Sequence, residues 1–384
     1  MGAGLVSLPS WACAEERPNS VLTALSPTTI SGYVDTSMEW NPGTGNQNLP
    51  TYTPNGAPSG TKADGFNLDV VSLTISKPVG EGEWGAGYNA TLLFGPDAVG
   101  FNNSFGTLPS DFSLIDAYVV LRAPIGNGLD FKLGTFASPL GYEVYQTGSN
   151  PNYTRSYGYE LEPTQLTGLQ AAYQFSSVVS ANAGILNTWS AGINNRAFPT
   201  EGPKAESYKT YMGSVTLTAP ESMGFLAGST LSGGIVNGYN ALVANGGAVE
   251  TSFYAGGNIK TPLKFLTVGV AFDYACLGPN RANVVLNNSG YQYAGALYLL
   301  VQATEKLSFN ARADYLNQSS YLATTGLPGE SLALTATVQY DLWKNVITRA
   351  EFRWDHALNG SDPWGPAPSL DNAYMLALNI IYRF

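Results

Sequence analysis

From Glu83 to Phe94 the chain alternates. Trp84, Ala86, Tyr88, Ala90, Leu92 and Phe94 fall on one phase, and Glu83, Gly85, Gly87, Asn89, Thr91 and Leu93 on the other. A period of two places these sets on opposite faces of a β-strand, one apolar and one wet. The pattern recurs as Ile115, Ala117, Val119 and Leu121 against Asp116, Tyr118 and Arg122, and as Leu129, Phe131 and Leu133 against Asp130, Lys132 and Gly134. It returns as Leu307, Phe309, Ala311, Ala313 and Tyr315 against Ser308, Asn310, Arg312 and Asp314. Most such segments run about ten to thirteen residues, where soluble strands average about 5–6 and strands tilted across a bilayer need about 9–11.

Sixteen segments of this kind are predicted: 29–40, 65–77, 83–94, 113–123, 129–137, 164–176, 178–189, 205–218, 228–237, 247–260, 264–275, 289–302, 306–316, 329–340, 345–357 and 371–384. Links between them alternate short and long, as in outer-membrane barrels with tight periplasmic turns and longer outer loops. The expected fold is all-β: a transmembrane antiparallel barrel with both termini in the periplasm. In the last segment Tyr374, Leu376, Leu378, Ile380, Tyr382 and Phe384 form a wholly apolar phase, resembling the closing strand by which outer-membrane proteins are selected for assembly.

Composition fits a chain with part of its surface in lipid. Charged residues are 12% of 384, against about 25% in average chains. No stretch reaches the ~18 consecutive apolar residues of a spanning helix. The net charge is −10, and without a basic cluster there is no electrostatic footprint for nucleic acid. Cys13, Cys276 and the single histidine His356 are too few for a thiolate or imidazole metal centre. No cofactor is expected.

The apolar run from Gly2 to Pro9, followed by Ala12, Cys13 and Ala14, reads as a signal peptide (1–14) cut after Ala14, and the absence of Lys or Arg ahead of it fits a leader missing its first residues. Residues 15–28 then form a short periplasmic segment and 29–384 the barrel. The expected location is the outer membrane, reached by export.

Charges in the strands keep to the wet phase, because Arg or Lys facing lipid at mid-depth costs roughly 2–4 kcal/mol. The candidate lumen groups are Asp116, Arg122, Lys132, Arg312, Arg349, Glu351 and Arg353, with Asp130, Asp314 and Asp355 beside them. The connection 138–163 is 26 residues long, where loops beyond ~12–15 usually have a function or are disordered. It is the third outer loop. It carries Tyr142, Tyr145, Tyr153, Tyr157 and Tyr159 beside Glu143, Arg155, Glu160 and Glu162. It either folds inward as a constriction or caps the outer rim. If inward, its acids would face the Arg349 to Asp355 ladder and set up a field across the lumen, the alternative being interior salt bridges that hold the barrel open.

Lys132 to Val144 (KLGTFASPLGYEV), Asn152 to Tyr157 (NYTRSY), Pro163 to Gly168 (PTQLTG) and Ser31 to Ser37 (SGYVDTS) resemble the OmpL-like β-barrel porin family. The resemblance implies an outer-membrane pore for passive diffusion of ions and small hydrophilic solutes, with the third outer loop folded inward. It also implies a homotrimer as one option, through small residues near 247–260 and 289–302. A sugar-selective channel and a non-conducting surface scaffold are the alternatives, with Tyr33 and Tyr118 as inward aromatics. The net charge favours cations.

Two features point away from catalysis. Gly80, Gly82 and Gly85 match a dinucleotide fingerprint, but a strand is predicted where the phosphate-binding helix is required. His356 shares the phase of Phe352 and Trp354, which places it towards lipid, and no G-x-S-x-G elbow accompanies it.

Overall fold

The computed structural model describes residues 28–44, 62, 64–80, 84–98, 112–189, 192–194, 209–240, 248–278, 289–319, 329–365 and 369–384. The expected leader and residues 15–27 lie outside these. The strands are β1 (Thr29–Trp40), β2 (Gly65–Lys77), β3 (Gly85–Phe94), β4 (Phe112–Ala123), β5 (Leu129–Ala137), β6 (Gln165–Gln174), β7 (Val179–Leu186) and β8 (Thr210–Thr218). They continue as β9 (Thr230–Asn240), β10 (Ala248–Lys260), β11 (Leu266–Leu277), β12 (Gly290–Gln302), β13 (Leu307–Gln318), β14 (Glu330–Trp343), β15 (Val346–Ala357) and β16 (Asn372–Arg383). Each pairs antiparallel with its sequence neighbours, and β16 closes on β1 to complete the barrel. Closure leaves no free strand edge, which hydrocarbon would not tolerate.

The seam is well defined. Tyr33 stands opposite Arg383, and Gly32 and Phe384 exchange two main-chain hydrogen bonds of 3.0 Å. On β16, Tyr374, Leu376, Leu378, Ile380 and Tyr382 face outward and exposed, while Ala373, Met375, Ala377 and Ile381 are buried inside. The same division holds around the wall, where Leu121, Leu133, Leu297, Phe309 and Phe352 belong to an apolar exterior. Water would penalise such a surface, whereas lipid accepts it.

One end of the barrel carries tight turns, and in bacterial outer-membrane barrels this end faces the periplasm. Between β14 and β15 the turn is only Lys344 and Asn345, and Asn345 has φ 64°, a left-handed conformation that asparagine tolerates. β3 begins at Gly85, so a strand stands where a phosphate-binding helix would have to start.

One predicted phase is corrected. Ile115 does not face lipid. Thr91 pairs with Asp116 and Leu92 with Leu114, so Ile115 is the extra residue of a β-bulge. Both Ile115 and Asp116 therefore point inward, and Ile115 packs with Val70, Leu93 and Ala98. A second irregularity, between Asp35 and Thr36, leaves Asp69 and Val70 both buried. Simple alternation cannot anticipate a bulge.

Candidate functional site

The 138–163 connection, here called L3, lies inside the barrel. Its base is closed by Ser138 N–H donating to the Thr164 carbonyl at 3.1 Å. Within it, the Asn150 side chain accepts from Val144 N–H (2.8 Å) and donates to the carbonyls of Val144 (2.7 Å) and Gln146 (3.0 Å). One amide thereby ties a seven-residue turn, Val144 to Asn150, into a compact unit. Ser156 caps the short helix α1 (Tyr157–Leu161) by accepting from Tyr159 N–H at 3.3 Å. These local bonds satisfy main-chain groups that a buried loop would otherwise leave unpaired.

L3 has three seats. In the first, Leu140 and Tyr142 enter an apolar cluster formed by inward residues Phe136, Leu166, Leu186, Met212, Val236, Tyr254, Ala271 and Tyr298. Glycines make the room. A Cβ on Gly234 would lie 2.4 Å from Leu140, and one on Gly269 would lie 2.1 Å from the Tyr142 hydroxyl. Tyr142 stacks on Tyr298 with centroids 4.1 Å apart and donates to Asn258 at 2.6 Å.

The second seat is the arginine ladder of β13 and β15. Arg312 donates to Glu143 (2.8 Å) and to the carbonyls of Thr154 (2.7 Å) and Arg155 (2.9 Å). Arg353 reaches the Arg155 carbonyl at 2.6 Å, and Arg349 reaches those of Thr147 (3.0 Å) and Asn150 (2.8 Å). Glu351 completes it from the acceptor side, taking Tyr153 N–H at 2.6 Å and Thr154 N–H at 2.9 Å. Neighbouring carboxylates balance the guanidinium groups: Asp314 sits 2.7 Å from Arg312 and Asp355 2.8 Å from Arg353. The planar fork of arginine suits this work, because one group can hold two carbonyls and a carboxylate together.

The third seat lies on β1 and β2, with only β16 between β1 and the β15 end of the ladder. Tyr153 donates its hydroxyl to Glu39 at 2.6 Å, beside Ser37 at 3.0 Å. Lys62 stands over the Tyr153 ring and pairs with Asp97 (2.6 Å) and Asp69 (3.2 Å). Burial alone would discharge this lysine, but Asp69, Asp97 and Glu39 hold it protonated above its ordinary range.

The predicted lumen residues fall into distinct groups. Glu143, Arg155, Arg312, Arg349, Glu351 and Arg353 meet at the second seat, where Glu143 also accepts from Ser156 N–H (2.7 Å) and Arg155 donates to the carbonyls of Tyr153 (3.0 Å) and Tyr145 (3.1 Å). Asp116 supports L3 from β4, accepting from Ala137 N–H (2.8 Å) and the Tyr145 hydroxyl (2.9 Å). Lys132 lies over the rings of Tyr118 and Phe136. Arg122 stands apart at the short-turn end, in a bidentate pair with Asp130 at 2.6 Å. Glu160 is exposed on α1. Glu162 is buried and turned to Asp273 on β11; burial first, then the Asp273 charge, raise its carboxyl well above the usual range. Of the three loop acids, Glu143 meets the ladder by direct contact, and Glu160 feels the charges of Arg353 and Arg155. The ladder is fully packed against L3 and does not face open water.

Sequence reasoning missed the first and third seats. Leu166, Leu186, Met212 and Val236 occupy the wet phase of four adjacent strands, and an apolar group there is the visible sign that something packs inside. Nothing comparable marks Lys62, which comes from a link between strands.

A closed sixteen-stranded barrel with an apolar exterior, short turns at one end and a long third loop seated in its lumen is the architecture of an outer-membrane porin. Residues 27–384 match the family model described as "Putative beta-barrel porin-2, OmpL-like", and the chain belongs to that family. It is an outer-membrane channel for passive diffusion of ions and small hydrophilic solutes. Solved structures share its fold. The outer membrane channel DcaP of Acinetobacter baumannii is 10% identical, with a TM-score of 0.61 over 93% of this chain and 97% of that one. The anion-selective porin from Comamonas acidovorans is 10% identical, with a TM-score of 0.61 over 93% and 99%. In vitro folded OmpT of Vibrio cholerae in its trimer form is 12% identical, with a TM-score of 0.51 over 93% and 99%. No curated protein matches the chain in sequence.

Proposed function

We propose that solutes cross this porin beside L3, and that the pore prefers cations. The observation that carries this is the charge of the wall facing the loop. Around β1 to β4 the buried carboxylates Glu39, Asp69, Asp97 and Asp116 outnumber the cations Lys62, Lys132 and Arg155, while Arg312 and Arg353 each have an adjacent carboxylate and Arg349 stands near Glu351. A narrow lumen walled by protein focuses such an excess on a passing ion. The anion-selective Comamonas porin shares the fold, so the fold alone does not set the sign.

The test is conductance of the purified, folded protein in planar bilayers under a potassium chloride gradient. Stepwise channels with a cation-selective reversal potential are expected. An anion-selective potential overturns the charge reading, and a folded barrel without channels overturns the pore reading. Export by the signal peptide and assembly as a homotrimer belong to the same proposal. Outward Ala255 and Gly295 supply small residues where two walls could approach, and cross-linking of the folded protein would show the trimer.

A further inference from the structure

On the short-turn side of L3 a cavity of about 270 Å³ lies between the loop, the starts of β1 and β16's last residues, and the end of β2. We propose that it is a binding subsite for a single neutral sugar ring, a reading that rests on the porin function and names a solute class for it.

The volume falls just below the ~300–1,000 Å³ of pockets for drug-sized ligands, which limits the occupant to about one ring. Its lining suits a polyhydroxylated solute. Tyr33 and Tyr145 offer aromatic faces, and Ser72, Thr74 and Ser149 offer hydroxyls that both donate and accept. Arg383 adds a planar donor. Its guanidinium is held on L3 by the Gly148 carbonyl. A Cβ at position 148 would lie 2.6 Å from that guanidinium, so glycine permits the approach. Among the described residues lining the cavity, none carries a carboxylate side chain, unlike the wall beside L3. Around the cavity the acids Asp35 and Asp97 and the cations Arg155 and Arg383 balance in sign, which suits a neutral occupant.

The experiment measures block of single-channel conductance by D-glucose added on the short-turn side, with D-gluconate as the charged analogue. Saturable block by glucose is expected, with gluconate at least tenfold weaker. Tyr33→Ala removes a stacking face and Thr74→Tyr fills the cavity; each should raise the half-blocking concentration at least tenfold in protein that still shows the heat-modifiable mobility of a folded barrel. Block that rises linearly with concentration, block of both variants at the wild-type half-blocking concentration, or stronger block by gluconate overturns the subsite. Equilibrium dialysis of labelled glucose against the detergent-folded barrel separates the two readings. Binding without conductance keeps the subsite and overturns the pore; conductance without binding does the reverse.

Discussion

Arg353 on β15 donates to the main-chain carbonyl of Arg155 in L3 at 2.6 Å, so a wall arginine holds the backbone of a loop arginine. Like charges are brought together because the contact is to a carbonyl, and Asp355 neutralises the wall partner from 2.8 Å. Removing one member of a buried, hydrogen-bonded pair costs about 3–5 kcal/mol, since the other charge is left uncompensated. Arg353→Ala should therefore lower the temperature of the heat-modifiability transition and, by releasing L3, raise single-channel conductance. Arg353→Lys keeps the charge but loses the fork, and should fall between wild type and Ala in both measurements. Unchanged conductance in the folded Ala variant would show that the ladder does not hold L3.

Gly234 and Leu140 form a socket and its plug. A Cβ at 234 would sit 2.4 Å from the leucine, a distance that packed carbon atoms do not adopt. Gly234→Val should unseat Leu140 and give noisier, larger channels. Overpacking of this kind typically costs 1–3 kcal/mol. The double variant Gly234→Val with Leu140→Ala should recover only part of the wild-type noise level, because the new Cβ still lies 2.8 Å from the Gly213 carbonyl oxygen and from the Ser214 Cβ. Current recordings and thermal unfolding of the three variants decide it.

Strand positions were legible because the bilayer imposes a two-residue period on every segment. β1, β2 and β5 have the ranges expected of them, and β16 is readable from Tyr374 to Tyr382 alone. Facing was legible wherever pairing is regular, which is why Arg312, Arg349 and Arg353 are all inward. It failed at Ile115, where the bulge adds one residue and shifts the phase. The arginine ladder was visible as a charge pattern, but its partners were not, since they are L3 carbonyls and every residue has one. A pattern of side chains cannot show a contact made to the main chain.

Glu162 offers a pH test. The groups around it are Asp273 on β11, with Glu143 and Glu160 from L3 itself, and all are acidic. Its carboxyl is raised, so the seated loop holds the protonated form, and the stabilisation it provides is present at low pH and lost as pH rises through the elevated value. Conductance fluctuations should therefore increase with pH. Glu162→Gln, which is neutral at every pH, should remove most of that dependence while leaving conductance at low pH near wild type. A pH response identical in the two proteins would place the titrating group elsewhere.

His356 should be dispensable. Its Nδ1 lies 3.1 Å from the Asn372 side-chain oxygen, its ring stacks on Trp354 at 5.6 Å, and Trp354 donates to the same oxygen at 2.7 Å. This is a small polar cluster on the outward phase near the long-loop end, where aromatic and amphipathic groups meet the edge of the lipid. Asp371, 4.0 Å away, is half exposed, so any ion pair with a protonated imidazole is screened and contributes little. His356→Ala removes one hydrogen bond that Trp354 already shares. Conductance and ion selectivity should be unchanged, and stability should move by less than about 1 kcal/mol. Loss of any solute-modifying activity on this substitution would revive a catalytic role that the outward placement of the ring argues against.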